Sequence, residues 1–366
     1  MKVTYLLGAG ASAGRPPKES PHVEQNDAKW RKIGIPIVNE IPDRLQKLVG
    51  DIKHTTLSGK NGELDYAVEQ KKLIEDLEGL LEKCQYHATI DTYAKKLVLT
   101  KNTFSLLHLE NVLCFYLICE QLFNKIDNRY DTFFANILGD NLLIPPDMNI
   151  VSWNYDNYLD MAYYEYRPEK QIRTITKHNI QEVNPKVFKI NGTATFENYG
   201  LCDLLKDSKK TYYGGIDSNY GYTYGLTQEG LKRIIEIYYH VCAHTPKNHS
   251  HLSFAFDSMH NIEQKFYEKL RAALRGTEIL VVIGYTFPFF NRQMDQIILS
   301  SLSKLKKVYI QDINPTKTQE ILQTIFAEER HIATIIPITD VSSFFIPPEF
   351  TITHNKHSGI QSIDIM

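Results

Sequence analysis

The chain has 366 residues, a formal net charge of −2 and 43% hydrophobic residues. That length exceeds what one core of roughly 250–300 residues holds, so a main domain with an insertion or accessory lobe is expected. The balanced charge suggests no general attraction to nucleic acid, and no Lys/Arg-rich run is present in the sequence.

Residues 3–14, VTYLLGAGASAG, open the chain with an apolar run of strand type that breaks into Gly8-Ala9-Gly10-Ala11-Ser12. Such a turn, leading into a helix, exposes backbone N–H groups that can cradle a diphosphate. Gly8 and Gly10 permit close backbone approach, and Ser12 supplies a hydroxyl and a cap. Counting Gly14, the spacing is Gly-x-Gly-x-x-x-Gly, which misses the dinucleotide fingerprint, and no acidic residue follows at the ribose-clamp distance. A tight turn with no ligand is the competing reading. The chain enters this strand directly, without a leader pattern, and a cytoplasmic location is expected.

Arg15 to Trp30 is polar and contains Pro16, Pro17 and Pro21, which predicts a loop. Residues 41–50, IPDRLQKLVG, have helical periodicity ending at a Gly, and 51–65 read as an exposed loop. From Tyr66 to about Lys125 the pattern is helical. Its last part, FSLLHLENVLCFYLICEQLF, is apolar over a wide arc but interrupted by His108, Glu110, Asn111, Glu120 and Gln121. It reads as a buried or subunit-contacting helix, not a membrane span, and as a reason to expect a homo-oligomer. These helices form an insertion of about 51–130.

Further strands follow, each stopping at a polar residue or Gly. They are Ile150-Val-Ser-Trp-Asn154-Tyr-Asp156, Val187-Phe-Lys-Ile-Asn191-Gly192-Thr193, the run Glu278 to Pro288 through Gly284-Tyr285-Thr286, and Lys307 to Pro315 through Asp312 and Asn314. Strands of an open parallel sheet deliver side chains in this way to a crevice at their carboxyl ends. The expectation is an α/β fold with five strand ends converging on one site. Asn314-Pro315 also reads as a simple turn.

Between these strands, 197–262 is rich in Tyr, Gly and His and shows neither a strand ladder nor a clean helix until about Gln228. It reads as a partner surface or an ordered lid. The tail, 346–366, looks extended, docked or disordered.

The five cysteines, Cys84, Cys114, Cys119, Cys202 and Cys242, form no Cys-x-x-Cys pair and read as reduced thiols, with Cys114 and Cys119 in one apolar helix. His240 and His244 stand at i and i+4, with His249 and His251 close behind, yet no carboxylate or thiol pattern completes a metal site. A polar surface helix is the alternative.

The motifs GAGAS at 8–12, SWNYD at 152–156, KINGT at 189–193, IGYTFPFFNRQMD at 283–295 and INP at 313–315, with Gly34-Ile-Pro36 and Ile90-Asp91-Thr92-Tyr93, resemble the sirtuin family. The resemblance is to its bacterial branch of sirtuin-like NAD hydrolases in anti-phage defence, and spans residues 1 to about 325. It implies a Rossmann-like parallel sheet over 1–345 and NAD as substrate. It also implies hydrolysis to ADP-ribose and nicotinamide, cofactor depletion on infection and, as partner, a HerA-type hexameric ATPase.

By the same resemblance, Asn154 is the catalytic Asn, its amide holding the ribose hydroxyls or the attacking water; Asp156, two residues on, reads as orienting that amide or a loop, or as a helix cap. Gly8, Ala9, Gly10, Ala11, Ser12, Pro36, Gly192, Gly284, Tyr285, Thr286 and Asn314 line the NAD site. No zinc module can be assembled where deacylases keep one. Where most of the family reads His-Gly, this chain reads Asn191-Gly192. An Asn can donate and accept hydrogen bonds but cannot take a proton near neutral pH. His87, His108 and His178 remain as replacements for the missing base. A regulatory subunit that binds NAD or ADP-ribose is the alternative function.

Overall fold

The computed structural model describes residues 1–14, 34–169, 173–177, 179–182, 184–218, 221–243, 250–254, 261–329 and 333–350. Strand β1 (Lys2–Leu7) runs into a single helical turn, α1 (Ala9–Ser12). Helix α2 (Ile41–His54), the short pair β2 (Lys60–Asn61) and β3 (Leu64–Asp65), then α3 (Tyr66–Tyr86) follow. The excursion ends with α4 (Ile90–Leu99), α5 (Thr103–Phe123) and α6 (Asn128–Ile137). The chain then makes β4 (Met148–Ser152), α7 (Tyr158–Tyr166), β5 (Thr174–Thr176), β6 (Val187–Lys189) and β7 (Gly192–Phe196). A second excursion holds α8 (Leu201–Ser208), β8 (Tyr213–Ser218), β9 (Gly221–Leu226), α9 (Gln228–Tyr238) and β10 (Ser250–Leu252). The sheet is completed by α10 (Asn261–Leu274), β11 (Thr277–Ile283), α11 (Arg292–Ser300), β12 (Lys307–Gln311), α12 (Pro315–Glu329) and β13 (Thr334–Ile338).

Seven strands pair in parallel in the order β13-β12-β11-β1-β4-β6-β5, the expected Rossmann-like α/β sheet. Both faces are covered, which is why its strands read as continuous apolar runs. Along β1 the side chains alternate: Val3, Tyr5 and Leu7 enter the core under the helical excursions, and Leu6 enters the one under α10, α11 and α12. From β1 the chain steps to β4 on one side and returns at β11 on the other. The carboxyl ends of β1, β4 and β11 therefore flank the point where strand order reverses, the place where open sheets form a crevice.

Three glycines close that point. A Cβ on Gly8 would lie 2.5 Å from the Gly284 carbonyl oxygen, one on Gly10 would lie 2.7 Å from the Gly284 Cα, and one on Gly284 would lie 2.5 Å from Gly10. Gly284 also has φ +60°, which a side chain disfavours.

Helix α5 is apolar over a wide arc because most of it is buried. By length and composition it could cross a membrane, yet 67% of its most apolar stretch is buried among α3, α4, α8, β7 and β10. The arc that suggested association is thus covered by the chain itself. Its amino-terminal part projects, with Phe104 and His108 exposed.

Two loop expectations are corrected. Helix α2 passes Gly50 and ends at His54, because Leu45, Leu48, Val49 and Ile52 continue one buried stripe and Gly50 faces open space. Residues 51–65 are therefore not one loop: β2 and β3 pair, and Asp65 caps α3 by accepting from the N–H groups of Ala67 and Val68. In 197–262, α8 and the antiparallel hairpin β8–β9 replace the expected irregular stretch. Its Tyr, Ile and Thr residues favour strands more strongly than the interspersed glycines oppose them. The loop expected at Arg15 to Trp30 and the tail beyond Phe350 lie outside the described residues.

Gly284→Ala is expected to lower stability by about 2–4 kcal/mol, from the left-handed backbone and the contact with Gly10. Urea unfolding of the parent and variant measures this. An unchanged midpoint would show that the close approach is absent.

Candidate functional site

The crevice is built from the β1 turn outward. Its amides are largely engaged within the protein: Gly8 N–H donates to Ile283 O at 3.0 Å, Gly10 N–H to Gly284 O at 3.0 Å and Ala11 N–H to Gly8 O at 2.9 Å. The glycines thus serve first to join the turns after β1 and β11. Ala9 is exposed, while Ala11 and Ser12 are buried. Arg129, at the start of α6, donates to Ala11 O at 3.1 Å while its own charge pairs with Asp127 at 2.7 Å, both side chains being buried. Ile35 N–H reaches Ser12 O at 2.8 Å, which ties the Gly34–Pro36 segment to the turn, with Pro36 buried.

Ser12 joins the two sides of the crevice. Its hydroxyl shares a hydrogen bond with the Tyr130 hydroxyl at 2.7 Å and accepts from Asn154 Nδ2 at 3.1 Å. Asn154 is buried just past the end of β4, its own N–H held by Ser152 Oγ at 3.1 Å. With Nδ2 turned to Ser12, its amide is fixed in direction and Oδ1 is left as the acceptor. The adjacent Tyr155 hydroxyl bonds Asp91 at the start of α4, so the Ile90–Tyr93 motif contacts this loop.

Asp156 turns inward. One carboxylate oxygen accepts from Tyr158 N–H at 3.0 Å, which makes it a cap for α7. Burial pushes its carboxyl above the ordinary range, opposed by Lys189, the Tyr158 N–H and the Ser12 hydroxyl. Lys189, 1% exposed, pairs with Asp160 at 2.6 Å and donates to Asp156 O at 2.7 Å. Of the two readings of Asp156, the helix cap is the one seen in its hydrogen bonds.

Asn191 follows β6. Its Nδ2 donates to Trp153 O at 3.0 Å, and its backbone oxygen accepts from Ser253 N–H at 2.9 Å. Asn191 Oδ1, Trp153 Nε1 and Ser253 Oγ are buried with no hydrogen-bond partner among the described residues. Gly192 needs its positive φ and lacks room for a Cβ, which would meet His251 O. Next along β7, the hydroxyls of Thr193 and Thr195 bond at 2.8 Å, and Thr195 lies 3.4 Å from His251 Nδ1.

The far wall is aromatic. Tyr285 stacks on Trp153 with ring centroids 5.2 Å apart and 10° between planes. Its hydroxyl donates to Asp295 at 2.8 Å and accepts from Asn291 at 3.1 Å. Phe287 holds φ +50°, an unusual conformation for a bulky side chain and one that clusters at functional sites. Thr286 is exposed beside it, and Asn314 is exposed at the start of α12, its N–H donating to Asp312 Oδ1 at 2.9 Å. That is the Asn-Pro turn.

The structure thus gathers Ser12, Asn154, Asp156, Asn191 and Tyr285 around the ends of β1, β4, β6 and β11. Tyr130, Arg129, Ser253 and Asp295 also belong to these contacts, and the sequence reading did not single them out. Of the proposed replacement bases, His87 stacks on Tyr93 at 4.9 Å and His108 pairs with Asp76 at 3.3 Å. His178 lies outside the described residues. His251, weighed earlier only as a metal ligand, is the histidine that adjoins Gly192; burial holds its imidazole below the usual range, opposed by Glu197. His240 sits in a widened π-helical turn, Tyr239–Ala243, and His244 and His249 lie outside the described residues. Among the described residues no three of His, Cys, Asp and Glu gather as metal ligands. Comparison with known protein families and with curated proteins finds no match to this chain.

Asp295, 1% exposed, has one carboxylate oxygen without a partner among the described residues. Burial pushes its carboxyl up to about 8, opposed by the Tyr285 hydroxyl and Arg292. An unfolded Asp ionises near about 3.9, so across the interval the folded chain binds one more proton and loses stability as pH rises. Asp295→Asn should remove this slope, gaining on the order of a few kcal/mol relative to the parent above about pH 8. Thermal midpoints of both proteins between about pH 5 and 9 check it, and parallel curves would contradict a buried acid.

Proposed function

We propose that this chain is an NAD+ hydrolase that releases ADP-ribose and nicotinamide, acting in bacterial anti-phage defence by depleting the cofactor. The observation that carries the reading is Asn154, buried at the strand-order reversal, its amide direction fixed by Ser12 and its Oδ1 left as an acceptor. The motif resemblance to sirtuin-like NAD hydrolases supports the same assignment.

Cleaving the nicotinamide–ribose bond forms an oxocarbenium-like sugar with a good leaving group, so positioning matters more than a strong nucleophile. In this reading Asn154 Oδ1 accepts from a ribose hydroxyl and sets the sugar against the attacking water. The C1′–N bond electrons pass to the nicotinamide ring nitrogen, the water oxygen bonds C1′, and its proton leaves to solvent. Asp156 keeps the loop after β4 in place through the α7 cap. Tyr285 and Trp153 give the wall on the β11 side, and Ala9 and the exposed Thr286 and Asn314 line the nucleotide's outer path.

A second reading, an NAD- or ADP-ribose-binding regulatory subunit, is favoured by one observation: position 191 carries an amide, which cannot serve as a base. In either case we expect a homo-oligomer and a HerA-type ATPase partner in a cytoplasmic complex. That expectation rests on the resemblance, since α5 is covered within the chain.

Asn154→Ala is expected to reduce NAD cleavage by about 10²-fold or more through lost positioning, with the circular dichroism spectrum unchanged. A folded variant that turns over NAD at the parental rate removes Asn154 from the mechanism. Asn191→His separates the two readings. An enzymatic parent keeps or gains activity, whereas a regulatory parent starts from almost none and acquires it, because the imidazole adds a base that titrates near neutral pH. A parent that releases no nicotinamide, together with an Asn191→His variant that also releases none, contradicts both.

A further inference from the structure

We infer that Ser253, with Asn191, holds the attacking water, so that the second excursion of the chain supplies a positioning residue for hydrolysis. The inference rests on the NAD-hydrolase reading.

Ser253 follows β10, which pairs antiparallel with β7, and its N–H donates to the Asn191 carbonyl at 2.9 Å. That bond brings the two residues together where β6 gives way to β7. Asn191 Nδ2 is engaged by Trp153 O, so the side-chain oxygen is the group it has to offer. Asn191 is 8% and Ser253 4% exposed, and among the described residues neither Asn191 Oδ1 nor Ser253 Oγ has a hydrogen-bond partner. A buried polar atom left unpaired costs about 1–3 kcal/mol, and native interiors carry few of them.

An amide oxygen that only accepts, together with a hydroxyl on the hydrogen-bonded residue after β10 that donates or accepts, suits a small group able to do both. Water meets that description. Donating to Asn191 Oδ1 and bonding Ser253 Oγ, it keeps a lone pair for C1′. Neither residue removes its proton, which passes to solvent after the C1′–O bond has formed. The pair therefore places the nucleophile without activating it, a role open to an Asn where a base is missing.

The test is the fate of the sugar in aqueous methanol with NAD as substrate, where ADP-ribose reports capture by water and methyl ADP-ribose capture by methanol. Ser253→Ala removes one contact to the water and opens room for a methyl group. We expect the methanol-to-water product ratio to rise about tenfold, the effect of losing one hydrogen bond, with KM for NAD within about twofold of the parent. An unchanged ratio with an active parent overturns the role of Ser253 and leaves the NAD reading standing. A parent that yields neither product overturns that reading and the inference with it. Should Ser253→Ala fail to fold, Ser253→Cys keeps the volume, weakens the hydrogen bond and reads out through the same ratio.

Discussion

The rest of the structure depends on the backbone contact between the turns after β1 and β11. Gly8 and Gly10 on one side and Gly284 on the other approach so closely that any Cβ would clash, and two hydrogen bonds, Gly8 to Ile283 and Gly10 to Gly284, join them. Helical connections on both faces leave the two central strands adjacent, and these turns meet at the reversal of strand order. A crevice there has a rigid floor, because the backbone groups beneath it already have partners. The same contact changes the meaning of the Gly-rich turn. Its glycines are required by the fold whether or not a diphosphate lies over Ala9.

Around that floor the polar groups are arranged in depth. Ser12 couples the first strand to Asn154, Tyr130 couples Ser12 to the helical excursion, and the buried Arg129–Asp127 pair holds the carbonyl of Ala11. Breaking a buried ion pair by removing one partner commonly costs about 3–5 kcal/mol, so this backing resists rearrangement. The helical lobe is thus continuous with the site. It sets the direction of an amide at the end of β4 through two hydrogen bonds.

Much of this was legible in the sequence where one rule dominated. Continuous apolar runs ending in polar residues announce parallel strands, and VTYLL, the Ile150 run, ILVVI and VYI all sit in the sheet as read. The apolar arc of α5 announces burial, but not what covers it; the covering elements come from distant segments such as α8 and β10. The hairpin at 213–226 was missed because Gly content outweighed Tyr and Thr in the reading, and the end of α2 because Gly50 looked like a stop although the buried stripe continues to Ile52. At the site, Asn154 and Asn191 stood out by position, whereas Ser253, Tyr130 and Asp295 carry no local signal. Their roles exist only through pairings across the fold, between β10 and β7, between α6 and the β1 turn, and between α11 and Tyr285.

The most direct test of the central claim, that this crevice is a nucleotide-ribose site governed by Asn154, is a crystal structure of the protein soaked with ADP-ribose. The account predicts the nicotinamide-side ribose at the carboxyl ends of β1 and β4, a hydroxyl within hydrogen-bond distance of Asn154 Oδ1, and the diphosphate over Ala9. ADP-ribose bound at another edge of the sheet, or none bound at saturating concentration, would contradict it.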